Sequence, residues 1–126
     1  MKTVATIGAQ GDCLFRKLPG LPEGSQEVNQ TGSVIVGHSE TGHHHSIDDA
    51  EGVRFFRDPT NPLVCYLMLE GIEYADVVHR RSFDTHETLR LLAPPGETTV
   101  FEVRRQREYR ETAEPGTARS WTAVRD

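Results

Sequence analysis

Six histidines stand in this chain of 126 residues, and four of them fall between His38 and His45. His43 and His45 are separated by one residue, so in an extended segment their imidazoles leave the same face while His44 leaves the other. Two same-face imidazoles form a chelating pair for a transition metal, which needs three or four ligands in all. The shell would be completed by His38 across a hairpin, by His79 at a strand end, or by His86 in the turn that follows. Zinc, iron and nickel all suit imidazole ligands. Glu40, Asp48, Asp49 and Glu51 flank the cluster and are able to orient ring N–H groups or to ligate. An open coordination position would allow metal-assisted hydrolysis or dioxygen chemistry, and a closed one would make the metal structural. The competing use of the cluster is a polar loop in water.

Other reactive residues form no comparable set. Cys13 and Cys65 stand far apart and outside any paired metal motif, so they are expected to be buried thiols acting as small hydrophobes. Asp84-Thr85-His86 suggests part of a hydrolase triad, but the chain has no Gly-x-Ser-x-Gly elbow. Arg104-Arg105-Gln106-Arg107 suggests a nucleic-acid contact. Yet six arginines between Glu97 and Asp126 are balanced by five glutamates and one aspartate, the pattern of a solvated, salt-bridged strand face.

The elements that would position these residues read as short strands. Gln10-Gly11-Asp12 is a turn signal leading into an apolar run from Cys13 to Leu18, which Pro19-Gly20 ends. Leu21 to Gly32 is a loop by composition. Ser33 to His38 is a strand with Val34, Val36 and His38 on one face, Thr41-Gly42 a turn, and His43 to Ile47 the second strand of a hairpin. Val53 to Arg57 follows. Asp58-Pro59-Thr60-Asn61-Pro62 breaks the chain before Leu63 to Leu69, a continuous apolar stretch expected to be buried on both faces.

Ile72 to His79 and Glu87 to Ala93 are further strands, with His79 on the inward face of Ala75 and Val77. Thr98 to Arg110 alternates Phe101, Val103, Arg105, Arg107 and Tyr109 against Val100, Glu102, Arg104, Gln106 and Glu108, which fits one half-exposed strand. Trp121 is expected to anchor the last element on the core. With no internal repeat and no linker, residues 1–126 read as a single β-domain. Its expected form is all-β: a compact sandwich or jelly-roll-like small barrel of about seven to nine short strands.

Composition sets the outer bounds. Apolar residues at 36% and charged residues at 26% give a polar chain that still has a core to bury. The net charge of -5 argues against a partner held mainly through phosphates, so general nucleic-acid binding is not expected. No apolar run approaches the roughly 18 residues of a membrane span, and the first residues lack a signal-peptide stretch, so a cytoplasmic protein with no membrane contact is expected.

Two resemblances bear on the histidines. Gly37, then His43, His45 and Asp49 at intervals of five, one and three residues, is similar to the first cupin motif with Asp in place of its usual Glu. The second cupin motif is not matched, because no histidine follows Pro94-Pro95-Gly96. A longer likeness runs through Gln10-Gly11-Asp12, Thr41-Gly42-His43-x-His45, His79, His86, Pro94-Pro95-Gly96 and Arg104-Arg105-Gln106-Arg107-Glu108-Tyr109. This order resembles a group of small uncharacterised proteins of bacteria and phages, which implies a shared β-fold, a shared histidine site, and a virion-associated location if the chain is phage-encoded. The six residues between His79 and His86 depart from the group's closer spacing and put one of the two in doubt as an equivalent ligand.

The sequence therefore points to a metal-binding β-protein, with His43 and His45 as the fixed pair and His79, His86 or His38 completing the shell. Its reaction is open, and so is whether it is an enzyme. The competing class is a non-catalytic, phage-related assembly protein that holds a protein partner or its own copies through sheet edges.

Overall fold

The computed structural model describes residues 1–30, 32–37, 44–80, 85–105, 107–110 and 120–123, and every regular element among them is a strand. In chain order these are β1 (Lys2–Val4), β2 (Ile7–Gln10), β3 (Cys13–Leu18), β4 (Gln26–Glu27), β5 (Val34–Gly37), β6 (His45–Ile47) and β7 (Val53–Arg57). Then follow β8 (Val64–Leu69), β9 (Tyr74–Arg80), β10 (Thr85–Leu92), β11 (Thr99–Arg105), β12 (Arg107–Arg110) and β13 (Ser120–Ala123). One sheet has the order β1-β10-β9-β6-β5, a second has β2-β3-β11-β8-β7-β4, and β12 pairs with β13 alone. β1 joins β10 in parallel, and the other pairings are antiparallel.

The chain is all-β. A single apolar cluster takes Val34, Ile47, Val77 and Leu91 from the five-stranded sheet and Phe15, Phe55, Leu67 and Phe101 from the six-stranded one. Two sheets sharing one core is the arrangement of a sandwich. Neither sheet closes into a barrel among the described residues, so of the two architectures expected only the sandwich is compatible. The strands are more numerous than the sequence suggests because several are only two to four residues long. Among the described residues, no helix is long and apolar enough to cross a membrane.

Period-two alternation explains the core. β8 is buried on both faces: Cys65, Leu67 and Leu69 join the main cluster, while Val64 and Tyr66 pack with Phe56 and Val100 on the outer side. Each fully buried Leu or Phe contributes about 1.5–3 kcal/mol by removal from water. The expectation of one half-exposed strand from Thr98 to Arg110 is corrected. β11 ends at Arg105, β12 begins at Arg107, and Thr99 to Val103 are all buried. The reason is packing on both sides: Phe101 and Val103 face the core between the sheets, while on the outer face Val100 packs with Phe56, Val64 and Tyr66. Glu102, 7% exposed, is reached by Arg16 at 3.3 Å and Arg104 at 3.4 Å. Trp121 stands opposite Tyr109, but its expected role as a core anchor lies outside the described side chains.

The breaker before β8 is held by Asp58. Its Oδ1 accepts from the Thr60 backbone N–H at 2.8 Å, the Thr60 hydroxyl at 2.8 Å and the Asn61 N–H at 3.0 Å, and Oδ2 accepts from the Tyr66 hydroxyl at 2.9 Å. These donors, the Thr60 N–H foremost, pull the carboxyl from its ordinary 3.8 to about 2. A folded-state value below the unfolded one means the charged turn stabilises above pH 3.8 and loses that contribution as pH falls through about 2. Chemical denaturation of Asp58→Asn beside the parent chain should therefore show a stability gap at neutral pH that narrows across this acid window. A gap of constant size would contradict the assignment.

Candidate functional site

The site begins at the tight turn between β2 and β3. Gln10 pairs with Cys13, leaving Gly11 and Asp12 as a two-residue connection, and Gly11 has φ of 55°. Only glycine suits this position for a second reason: a Cβ there would lie 3.1 Å from Cε1 of both His45 and His79. The turn of one sheet thus rests directly on two imidazoles of the other.

Those imidazoles are brought together by register. His45 of β6 stands opposite His79 of β9, which stands opposite His86 of β10, so three histidine backbones line up across three strands. Directly paired residues project from the same face, which brings the His45 and His79 side chains together. The rings of His45 and His79 stack at 3.8 Å between centroids and 18° between planes, and both are fully buried.

Gln10 ties the sheets together. Its Nε2 donates to the carbonyl oxygens of Val77 at 2.8 Å and Glu87 at 3.0 Å. The Glu87 carbonyl is free of the ladder because β10 carries an extra residue between His86 and Leu89, a bulge opposite Val78. Two carbonyl acceptors consume both protons of the amide nitrogen, which fixes Oε1 as an acceptor. The contact of 2.9 Å between Oε1 and His45 Nδ1 therefore requires the proton on Nδ1. The other ring nitrogen, Nε2, lies 2.8 Å from Asp12 Oδ1, so a proton is shared between them.

Asp12, 1% exposed, is the centre of this network. Its Oδ2 accepts from Arg105 Nε at 3.1 Å and Nη2 at 2.9 Å, and the Cys13 thiol lies 3.8 Å from Oδ1. The charge-assisted pair with Arg105 offsets the several kcal/mol that burial of a lone carboxylate costs. A carboxylate oxygen of Asp12, Cys13 Sγ and a ring nitrogen of His45 lie within 4.8 Å of one another, all buried. These three residue types together are a ligand set for a borderline-soft divalent cation.

The histidines named from sequence are distributed as follows. His45 and His79 meet in the stack, and the backbone of His86 is opposite His79. His44 is exposed. His38 and His43 lie outside the described residues. Sequence reasoning missed the network around His45: its partners Gln10 and Asp12, and Cys13 and Arg105 beside Asp12. For Arg105 a signal was available: alternation puts it on the face of Phe101 and Val103, and that face is the core. Arg104, one residue earlier, pairs with Glu102, but the pair is half-buried and not on the solvated face expected. Both cysteines are buried, and burial pushes the Cys65 thiol up to about 12, which makes it a poor nucleophile.

Fold and site together define an all-β chain whose two sheets are joined through a buried Gln-Asp-His-Arg network beside a thiol. The chain belongs to the family described as Domain of unknown function (DUF8820), whose model matches residues 9–106. No curated protein and no solved structure matches it. The matched stretch begins just before Gln10 and ends just after Arg105, so it contains the whole network.

Proposed function

We propose that this chain is a metal-binding β-domain that holds a divalent transition metal, zinc before iron or nickel, on Asp12 Oδ1, Cys13 Sγ and His45 Nε2. The observation that carries the reading is the approach of these three ligand atoms to within 4.8 Å in a fully buried site. Zinc bonds of about 2.0–2.3 Å hold neighbouring ligand atoms roughly 3–4 Å apart, so a small contraction suffices. Gln10 supports the reading by holding the proton on Nδ1, the outer-sphere hydrogen bond typical of a ligating imidazole. Arg105 engages Oδ2 and leaves Oδ1 to the metal. A thiolate in the set favours zinc over magnesium or calcium.

His79 stacks on the His45 ring with its plane nearly parallel, a geometry that packs the ligand rather than sharing its metal. A remaining coordination position would be filled by His43 or His38, on the connection leading into β6, or by His86 in register with His79. The burial of Asp12, Cys13 and His45 gives substrate no path, so the metal would be structural, clamping the β2–β3 turn to β6.

Elemental analysis of untagged protein should find one equivalent of metal, abolished by His45→Gln. Cobalt substitution should give a thiolate charge-transfer band that Cys13→Ser removes while His79→Ala keeps it. Metal-free protein that takes up neither zinc nor cobalt would refute the proposal. A cobalt band that survives Cys13→Ser would remove the thiol from the site.

A further inference from the structure

The inward-facing rows of the six-stranded sheet end in charge. On β7 the alternation that buries Phe55 places Arg57 next on the same face, opposite Cys65 of β8. On β11 the row of Phe101 and Val103 ends at Arg105, opposite Cys13 of β3. Inner-face positions are normally apolar, and here two guanidinium groups close one end of the sandwich, Arg105 half-buried and Arg57 exposed.

Both arginines line a recess of about 80 Å³ whose wall is otherwise apolar, from Ile35 and Val36 on one side to Leu63 and Val64 on the other. A water occupies about 30 Å³ in the liquid, so the recess holds a few waters or one small oxyanion. Among the described residues, no carboxylate belongs to its lining. Arg105 spends Nε and Nη2 on Asp12 and keeps the two protons of Nη1. Arg57 makes no ion pair among the described residues and lies over the Phe55 ring at 5.3 Å.

We infer that this recess binds a phosphate group between Arg57 and Arg105. Asp12 already compensates Arg105, so the preference for phosphate rests on geometry: its several oxygens can accept from Arg57 and from Arg105 Nη1 together, where the two oxygens of a carboxylate offer fewer acceptors. Apolar walls strengthen the attraction by lowering the local dielectric, and the planar donor array of arginine matches the oxygens of phosphate. The inference does not rest on the metal reading: a chain that takes up no zinc would still present both arginines to the recess. Arg105 is common to the two sites, so phosphate is felt at Asp12.

The test is titration of the full chain with inorganic phosphate, phenyl phosphate and acetate, followed by calorimetry and by the arginine Nε–H resonances. Phosphate should shift the signals of both Arg57 and Arg105, and acetate should bind at least about tenfold more weakly. Arg57→Gln, a change at an exposed side chain, should weaken phosphate about tenfold or more while the backbone spectrum stays folded, and Arg57→Lys should fall between. Tighter binding of phenyl phosphate would identify a phosphomonoester as the ligand, and tighter binding of inorganic phosphate the free ion. Absence of phosphate binding by the parent chain, equal affinity for acetate, or an unchanged affinity in Arg57→Gln would each overturn the inference.

Discussion

Asp12→Ala is expected to destabilise the chain by about 3–5 kcal/mol, the usual cost of removing one member of a buried ion pair. Asp12 is 1% exposed and serves His45 through Oδ1 and Arg105 through Oδ2, so its loss takes a partner from both at once. Arg105 keeps 21% of its side chain in contact with solvent and can recover part of its hydration, whereas His45 at 1% cannot. The larger share of the cost therefore falls on the imidazole. Asp12→Asn keeps the shape and one acceptor oxygen, and should cost clearly less than the alanine variant. Urea denaturation in the presence of a chelator measures the network itself, and repeating it with zinc adds the binding contribution. In a double-mutant cycle, Asp12→Ala with Arg105→Met should recover part of the loss, because the stranded guanidinium is removed with its partner. A cost for Asp12→Ala below about 1 kcal/mol would show that the carboxylate does not hold the network together.

The parts of this fold legible in the sequence are those that depend on local periodicity. β8 was readable because Leu63 to Leu69 leaves no polar position to face water, and its burial follows. The break at Asp58-Pro59 and the turn at Gly11-Asp12 follow from backbone conformations that few residues tolerate. His79 shares the inward face of Ala75 and Val77, and it is buried there. Local pattern could not supply which strands become neighbours. The burial of Glu102 depends on β11 lying between β3 and β8, a long-range pairing no window of residues records.

The same limit explains the site. Gln10 and Arg105 are separated by most of the chain, and they join one network with His45, Arg105 through Asp12, only because the β2–β3 turn of one sheet reaches the other. A cluster of adjacent histidines drew attention to ligands near one another in sequence, while His45 bonds Gln10 of β2 and Asp12 of the β2–β3 turn, and Asp12 in turn bonds Arg105 of β11. A more productive signal was present in the polar residues set into apolar strands: Gln10 before a tight turn, and Arg105 after Phe101 and Val103. Such residues must find partners when the strand is buried, and each found one in the other sheet or at its turn.

Gln10→Glu tests that conclusion with a change of a single group. The substitution keeps size and shape but replaces the amide nitrogen, now 2.8 Å from the Val77 carbonyl and 3.0 Å from the Glu87 carbonyl, with an oxygen. If that oxygen is ionised it faces two carbonyl acceptors with no proton between them. If it is protonated, it supplies one donor where two were used. Either way at least one hydrogen bond across the sheets is lost, and a buried carbonyl without a partner costs about 1–3 kcal/mol. The ionised form adds repulsion from two oxygens in a site with little water to screen it. The variant should therefore lose about 3 kcal/mol or more at neutral pH and recover part of it on acidification, because protonating the introduced carboxylate restores one donor. Its sign is that of a carboxyl raised by its surroundings, opposite to Asp58. Gln10→Met, which removes the polar groups but introduces no charge, should be less damaging at neutral pH and show no such recovery. Denaturation of the three chains across pH 4 to 8 decides the matter. If Gln10→Glu were as stable as the parent at neutral pH, the amide would not be donating to both carbonyls, and the proton assigned to His45 Nδ1 would lose its basis.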